Sequence, residues 1–453
     1  MKFRRLFVRM LVCLMAGLWT GTVPGQTMDS PPGDTLTLKQ CIDIAMKTKS
    51  DIGIAKSQLE IAGAQEKSAL GNLFPSLSMS ARGSHTEQGE GKRFFSGVEF
   101  TAPASSRDYF SAGFSLEQPL FTGGRLYHGM NMAEKGSQQA AVDYQSTRER
   151  ITQEVASAYL DVLRARELIR VYEKTLESSQ AQVDLVQERY NLGAVAKSDL
   201  YKARTRAGND RINLLQQKQV YDTRKRNLNL VMGRNPAVNF ALPVFEYTTP
   251  VIPDKDRAKQ EALQSNKDLR SLGLVVDQSE IRLSLAKGSL LPTLGAFFSY
   301  DRTGFRFKEL YTPMDKNWNY SYGISLSVPI FRNLNNRTNV QVRKAELSIS
   351  ERRYRDAKLQ LEMQVENLVQ QLETYREVIE LNELNLESAE EDLRLAKERY
   401  NIGEATILDV LDAQAAVTNA QRLLVYVKFD ARNTEIQLQR LLGNLVQAGE
   451  VQL

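Results

Sequence analysis

Side chains that commonly carry out chemistry are scarce in this chain of 453 residues, which contains two His and two Cys. His85 and His128 are isolated in the sequence, and Cys13 lies in an apolar N-terminal segment. Cys41 occupies a small-residue position in an apolar pattern, which is typical of a buried thiol. So few soft ligands exclude a zinc or iron–sulfur centre as a main device. We therefore expect no cofactor, no metal and no enzymatic activity.

One pair of acidic residues has a spacing that would suit ion selection in a pore. Asp409 and Asp412 are three residues apart, so on a helix they share a face. Carboxylates arranged in a ring around a pore favour cations and repel anions. A solvated helix face is the alternative, and the spacing by itself favours it. The choice depends on the elements that hold the pair.

The chain is an internal duplication. The segment Glu188–Gly193 recurs as Glu398–Gly403, and 398 − 188 gives a shift of 210 residues. Pro119-Leu120-Phe121 recurs as Pro329-Ile330-Phe331 at the same shift. Before these prolines the shift is longer by seven residues, which places an insertion in the first copy. The sequence predicts two structural repeats, 26–242 and 258–453, joined by a Pro-rich linker over 243–257.

Each repeat is predicted to contain two long helices. Apolar residues recur every seven positions, as in Val155, Val162 and Ile169 of the first repeat and Val365, Leu372 and Ile379 of the second. This period keeps a narrow apolar seam against neighbouring helices. The longest helices would extend roughly 90 Å, which indicates an extended helical assembly. The predicted bounds are 124–190, 196–232, 336–400 and 406–442.

Each repeat also contains two alternating segments, predicted as strands over 76–86, 109–118, 293–302 and 319–328. One face is apolar and the other rich in Ser and Gly, and about ten residues suffice for a membrane-spanning strand. A half-buried soluble sheet is the alternative. The membrane interpretation is favoured by Tyr109, Trp318 and Tyr320 at strand ends and by polar linkers at Glu87–Asp108 and Arg302–Asn317. Four strands cannot close a barrel and lipid tolerates no open edges, so three or four copies must associate.

The N-terminal residues 1–25 are predicted to be a cleaved signal peptide, with a basic start followed by an apolar stretch. An uncleaved anchor is the alternative. Removing this segment takes away four bases and no acids, leaving 59 − 4 = 55 Lys and Arg against 54 Asp and Glu. The basic balance therefore gives no indication of a nucleic-acid partner.

The doubled layout, the Leu-x-Pro-x-Leu segments, Pro119–Arg125 and the Tyr-Asn-x-Gly tips resemble the TolC-type outer-membrane efflux proteins, also called outer membrane factors. The resemblance covers about 36–444 and is most specific over Tyr400–Ala413. It implies an α+β membrane protein that forms a homotrimer. Four strands per chain would give a twelve-stranded outer-membrane β-barrel, continued by a long periplasmic α-helical barrel.

The resemblance also assigns roles to residues. Asp409 and Asp412 match the channel constriction, where three copies would form two carboxylate rings. Asp199 and Tyr400 match a polar link that closes the entrance. An Arg of a second link is Ala405 here, which predicts a weaker or differently built lock. The helix tips, formed by Leu192, Gly193, Ala194, Ile402, Gly403 and Glu404, match the surface that docks the periplasmic adaptor.

The expected function is therefore a passive exit duct in a Gram-negative outer membrane, surrounded by outer-membrane lipid. Its partners would be a periplasmic adaptor (membrane fusion) protein and an inner-membrane pump of the RND or ABC type, in drug efflux, metal efflux or type I secretion. A soluble periplasmic coiled-coil scaffold or adaptor is the alternative.

Overall fold

The structure, a computed structural model, describes residues 35–445 except 245–246, 313–314 and 332. The expected signal peptide over 1–25 lies outside these residues. The strands are β1 (Ser76–Gln88), β2 (Gly91–Phe95), β3 (Val98–Ala102), β4 (Ser105–Phe121), β5 (Thr293–Gly304) and β6 (Trp318–Ser327). The helices are α1 (Leu38–Thr48), α2 (Ser50–Gly71), α3 (Arg125–Asn191), α4 (Lys197–Val231), α5 (Lys255–Ser265), α6 (Lys267–Gly288), α7 (Asn335–Asn401) and α8 (Ile407–Leu441).

Two helices dominate the molecule. Helices α3 and α7 have 67 residues each, which at 1.5 Å per residue gives a length of about 100 Å. Helix α3 packs against α4, and α7 packs in the same way against α8. None of the helices within the described ranges has the length and hydropathy that crossing a bilayer requires.

Two shorter helices meet end to end beside each long helix. Helices α4 and α2 lie beside α3, and helices α8 and α6 lie beside α7. The Thr48 hydroxyl at the end of α1 donates to the carbonyl of Met232, just after α4. In the second repeat, Asn266 Nδ2 donates to the carbonyl of Leu441 at 3.0 Å, and its Oδ1 accepts from Leu269 N at 2.8 Å. These joints bring the start of α2 to the end of α4, and the start of α6 to the end of α8.

The sheet has four antiparallel strands in the order β1-β4-β5-β6. Its register aligns Leu77, Leu116, Phe298 and Tyr322 across the four strands, so these strands share one apolar face at this level of the sheet. Serines lie on the opposite face, where the hydroxyls of Ser78 and Ser115 are 2.6 Å apart. Within the described residues, the outer strands β1 and β6 have a strand neighbour on one side only.

The first repeat contains a hairpin that the sequence analysis did not predict. Part of the segment Glu87–Asp108, expected to be a polar linker, forms β2 and β3, and the rest lengthens β1 and β4. The turn at Ser96 and Gly97 has φ values of 49° and 83°. Two successive positive φ values are the geometry of the tight turns that suit a twisted hairpin. In the second repeat, the segment expected to be a linker contains a 3-10 turn, Phe307–Leu310.

Helix α3 is buried more widely than a narrow seam would allow. Between its residues 151 and 168, contacts with α1, α4 and α8 bury most of its sides, including Ile151, Val155, Leu160 and Leu163. The prediction of one thin apolar stripe is therefore wrong for this part of α3. Helix α7 follows it more closely, with Val365, Leu372 and Ile379 buried at intervals of seven.

His85 is isolated in the sequence but not in the folded chain. Its Nδ1 lies 2.7 Å from Asp108 Oδ1, and its Nε2 lies 3.3 Å from Glu87 Oε1. The pairing of β1 with β4 places these polar groups at the outer end of the sheet. In the part of the chain that the structure describes, no group of three or more His, Cys, Asp or Glu is arranged to hold a metal ion.

Candidate functional site

The two helix tips have the same backbone design. After α3, Gly193 N donates to Tyr190 O at 2.9 Å and Ala194 N donates to Arg189 O at 2.9 Å. After α7, Gly403 and Glu404 make the equivalent bonds, at 3.2 Å and 2.8 Å. This double bond pattern around a left-handed residue is the Schellman motif, which satisfies the last carbonyls of a helix.

The tip glycines are required by conformation and not by space. Gly193 and Gly403 have φ values of +73° and +81°, and nothing lies within 4 Å of an added Cβ at either residue. Residues with a Cβ rarely adopt this conformation. At the other ends of the hairpins, Gly233 and Gly443 are also left-handed, but there an added Cβ would meet neighbouring backbone. The tips are therefore open to solvent, whereas the opposite helix ends are packed.

The six residues predicted to dock an adaptor are all exposed at these tips. Two of them are large and apolar: Leu192 is 84% exposed and Ile402 is 70% exposed. The adaptor-docking role of these residues stays a prediction.

Arg189 joins the tip of the first repeat to the tip of the second. Its Nη1 donates to the carbonyl of Tyr400 at 3.0 Å, and its Nη2 donates to Asn401 Oδ1 at 3.0 Å and to Asn401 O at 3.4 Å. The guanidinium carbon lies 4.8 Å from the centroid of the Tyr400 ring, in a cation–π contact. A planar group with several donors can make these contacts at once. We call this set of contacts the Arg189 clamp.

The sequence analysis missed Arg189. Its partners come more than 200 positions later in the chain, so no local pattern connects them. One signal was available: the duplicated segment places an Arg at both 189 and 399, directly before the tip tyrosine.

The predicted link between Tyr400 and Asp199 is not formed in this structure. Tyr400 is buried, and its hydroxyl has no hydrogen-bond partner within the described chain. Burial raises the pKa of the Tyr400 phenol; Arg189 opposes the rise and the carboxylate of Asp199 adds to it. Asp199 is thus close enough to act through its charge, but its own carboxylate pairs with Lys202 at 3.2 Å.

The two candidate constriction residues have different surroundings. Asp409 accepts from Thr406 N at 2.6 Å and from Thr406 Oγ1 at 2.8 Å, completing a capping box at the start of α8. These bonds hold the pKa of Asp409 below its ordinary value of 3.8. Asp412 is exposed one turn further on. Asp409 thus has a structural role besides any role in ion selection.

Ala405 packs against an apolar cluster that supports both tips. The cluster includes Val186, Leu200, Tyr400 and Ile407. A side chain as long as Arg at position 405 would have to leave this contact to reach a polar partner. The tip is therefore stabilised by packing at Ala405 and by the Arg189 clamp.

The arrangement of long paired helices below an apolar-faced sheet is that of outer-membrane channels. The chain superimposes on the crystal structure of VceC from Vibrio cholerae with a TM-score of 0.79 at 20% identity, covering 90% of this chain and 96% of that one.

The sequence supports the same class. The model of the outer membrane efflux protein family matches residues 41–234 and 258–444. This chain belongs to that family and is an outer-membrane protein of the TolC type, as the sequence analysis expected. The chain is 24% identical to the outer membrane protein TolC of Escherichia coli over 351 residues, 74% of this chain and 69% of the relative. It is 25% identical to the alkaline protease secretion protein AprF of Pseudomonas aeruginosa over 355 residues, 76% of this chain and 72% of the relative.

Proposed function

We propose that this protein is the outer-membrane exit duct of a tripartite efflux or type I secretion system. In this proposal it is a passive homotrimeric channel, gated at its periplasmic helix tips. The observation that carries the proposal is the sheet: four strands with one apolar face and two open edges, joined to helices of about 100 Å.

The open edges determine the assembly. Backbone groups at a strand edge have no water to bond in the bilayer core, so a barrel in lipid must close. Pairing β6 of one copy with β1 of the next removes both edges, and three copies give twelve strands. The exposed apolar face, which includes Leu77 (75%), Tyr322 (74%) and Ile324 (70%), would then lie against lipid.

The helix tips supply the gate. The Arg189 clamp holds Tyr400 of the second repeat against the first, and Asp199 lies close enough to join it when the tips move. In a trimer, Asp409 and Asp412 would form two rings of three carboxylates near the tips and favour cations. The capping bonds from Thr406 keep Asp409 ionised to lower pH, which would preserve its ring.

The partners follow from the exposed tips and from the family. The surface formed by Leu192, Gly193, Ala194, Ile402, Gly403 and Glu404 is proposed to dock a periplasmic adaptor, which connects the duct to an inner-membrane pump. The similarity to the outer membrane protein TolC and to the alkaline protease secretion protein AprF supports a role in export.

Planar-bilayer recording of the protein extracted from outer membranes tests the proposal. We expect discrete, long-lived, cation-selective conductance steps. Asp412→Asn should shift the reversal potential towards that of an unselective pore, whereas Glu391→Gln, which changes a carboxylate paired with Arg394 on α7, should not. A protein released by osmotic shock that produces no conductance would refute the duct and would favour a soluble periplasmic scaffold.

A further inference from the structure

The Arg189 clamp has a donor side and an acceptor side that come from different repeats. The donor, Arg189, ends the long helix of the first repeat. The acceptors, Tyr400 and Asn401, end the long helix of the second. Within a single chain, the first repeat thus supplies only the donor and the second repeat only the acceptors, so the contact is head-to-tail.

The duplication provides a second donor in the second repeat and a second set of acceptors in the first repeat. A shift of 210 residues places Arg399 where Arg189 stands, and places Tyr190 and Asn191 where Tyr400 and Asn401 stand. Arg399 is exposed, and the structure gives its guanidinium one long bond, from Nη2 to the carbonyl of Glu404 at 3.5 Å. Tyr190 is half-buried and Asn191 exposed, whereas the clamped Tyr400 is buried. One donor, Arg399, and one acceptor turn, at Tyr190 and Asn191, thus lack the partner that their counterparts have within the chain.

The helices below the tips show the same imbalance. Helix α3 of the first repeat packs against α8 of the second. The corresponding surfaces, on α7 and α4, carry exposed apolar side chains: Leu381 (59%) on α7, and Tyr201 (53%) and Leu215 (59%) on α4. These two faces are the ones that a second copy of the chain would cover.

We propose that Arg399 of one copy clamps the last turn of α3 in the next copy. Its guanidinium stacks on Tyr190 of the next copy and donates to the carbonyls of Tyr190 and Asn191 there. Head-to-tail contacts generate a closed ring when their rotation closes. Three copies then hold six similar tip contacts, three within chains and three between them. The inference rests on the proposed trimer but adds the residues that join its entrance.

Thiol crosslinking in the full-length protein, assembled in the outer membrane, tests the contact. The variant Arg399→Cys with Asn191→Cys is treated with a short bis-thiosulfonate reagent, since an arginine contact is longer than a disulfide spans. We expect covalent dimers and trimers on denaturing gels. The matched control is Arg189→Cys with Asn401→Cys, which should crosslink within the chain: both thiols become blocked while the chain stays monomeric on the gel.

Loss of a heat-resistant oligomer provides a second measurement. Arg399→Ala should lower the temperature at which the trimer dissociates in detergent, whereas Arg189→Ala, which removes a contact within one chain, should leave it unchanged. Monomers alone from the 399/191 pair, in protein that is still trimeric, would overturn the inference and leave the duct intact. Equal dissociation temperatures for Arg399→Ala and Arg189→Ala would overturn it as well. A wild-type protein that is itself monomeric would instead refute the proposed function.

Discussion

Removal of the Arg189 side chain should favour the open state of the channel. The clamp consists of one partly buried bond to Tyr400 O, two more exposed bonds to Asn401, and a cation–π contact. A hydrogen bond from a charged group contributes about 1.5 kcal/mol where it is partly buried. The cation–π contact between the half-buried Arg189 and the buried Tyr400 adds at least about 0.5 kcal/mol, and we give little weight to the solvent-screened bonds. The clamp thus stabilises the closed tips by about 2 kcal/mol per chain.

This free energy changes the gating equilibrium only if the clamp breaks on opening. In that case Arg189→Ala raises the ratio of open to closed states roughly 30-fold for each clamp that breaks on opening, since 1.4 kcal/mol corresponds to a factor of ten. Arg189→Lys retains the charge but loses the planar fork, so its effect should be smaller. Single-channel recording in planar bilayers measures the ratio directly, from the time spent at high conductance.

Arg394→Ala is the matched control. Arg394 lies on the exposed side of α7 and pairs with Glu391 and Glu398, both at 2.6 Å, on its own helix. Exposed pairs of this kind contribute little, so the open-to-closed ratio should stay near that of the wild type. An Arg189→Ala channel that opens no more often than the Arg394→Ala channel would refute the role of the clamp.

Three further changes have defined outcomes. Gly403→Ala should cost about 1 kcal/mol, because a residue with a Cβ is strained in the left-handed conformation. It should lower the thermal unfolding midpoint less than Gly443→Ala does, because a Cβ at residue 443 would also overlap neighbouring backbone. Equal midpoints for the two variants would contradict the contrast between open tips and packed ends. Cys41, fully buried with its pKa raised to about 12 by burial, should resist maleimide labelling at pH 8 until the protein is denatured, and rapid labelling of the native state would show that the site opens. Thr406→Ala keeps the backbone bond to Asp409 and removes the hydroxyl bond, so the pKa of Asp409 should rise part of the way towards 3.8. Above pH 3.8, Asp409 is ionised and its stabilisation of the start of α8 is fully present. This stabilisation is lost as the pH falls through the lower pKa that Asp409 has in the folded protein. Cation selectivity should therefore disappear at higher pH in the Thr406→Ala channel than in the wild type, and coincident pH profiles would contradict the capping assignment.

Local signals were sufficient to predict the long elements. The heptad spacing placed the long helices at 124–190 and 336–400, and the structure has them at Arg125–Asn191 and Asn335–Asn401. Period-two alternation placed the four strands of the sheet. Both patterns could be recognised because each element has one side that is buried or faces lipid.

Features that depend on tertiary contact were missed. The hairpin of β2 and β3 was missed because the whole polar segment Glu87–Asp108 was interpreted as a linker. The broad burial of α3 arises where α1 and α8 meet it, which its own period does not reveal. The Arg189 clamp joins residues from two repeats, and it became visible only once the tips were placed side by side.

The mass of the protein extracted intact from outer membranes tests the central claim most directly. Four strands with an apolar face and two open edges cannot seal in lipid alone. The proposed barrel closes with three copies, so native mass spectrometry in mild detergent should give the mass of three chains. A species with the mass of one chain, stable across detergents, would contradict the account.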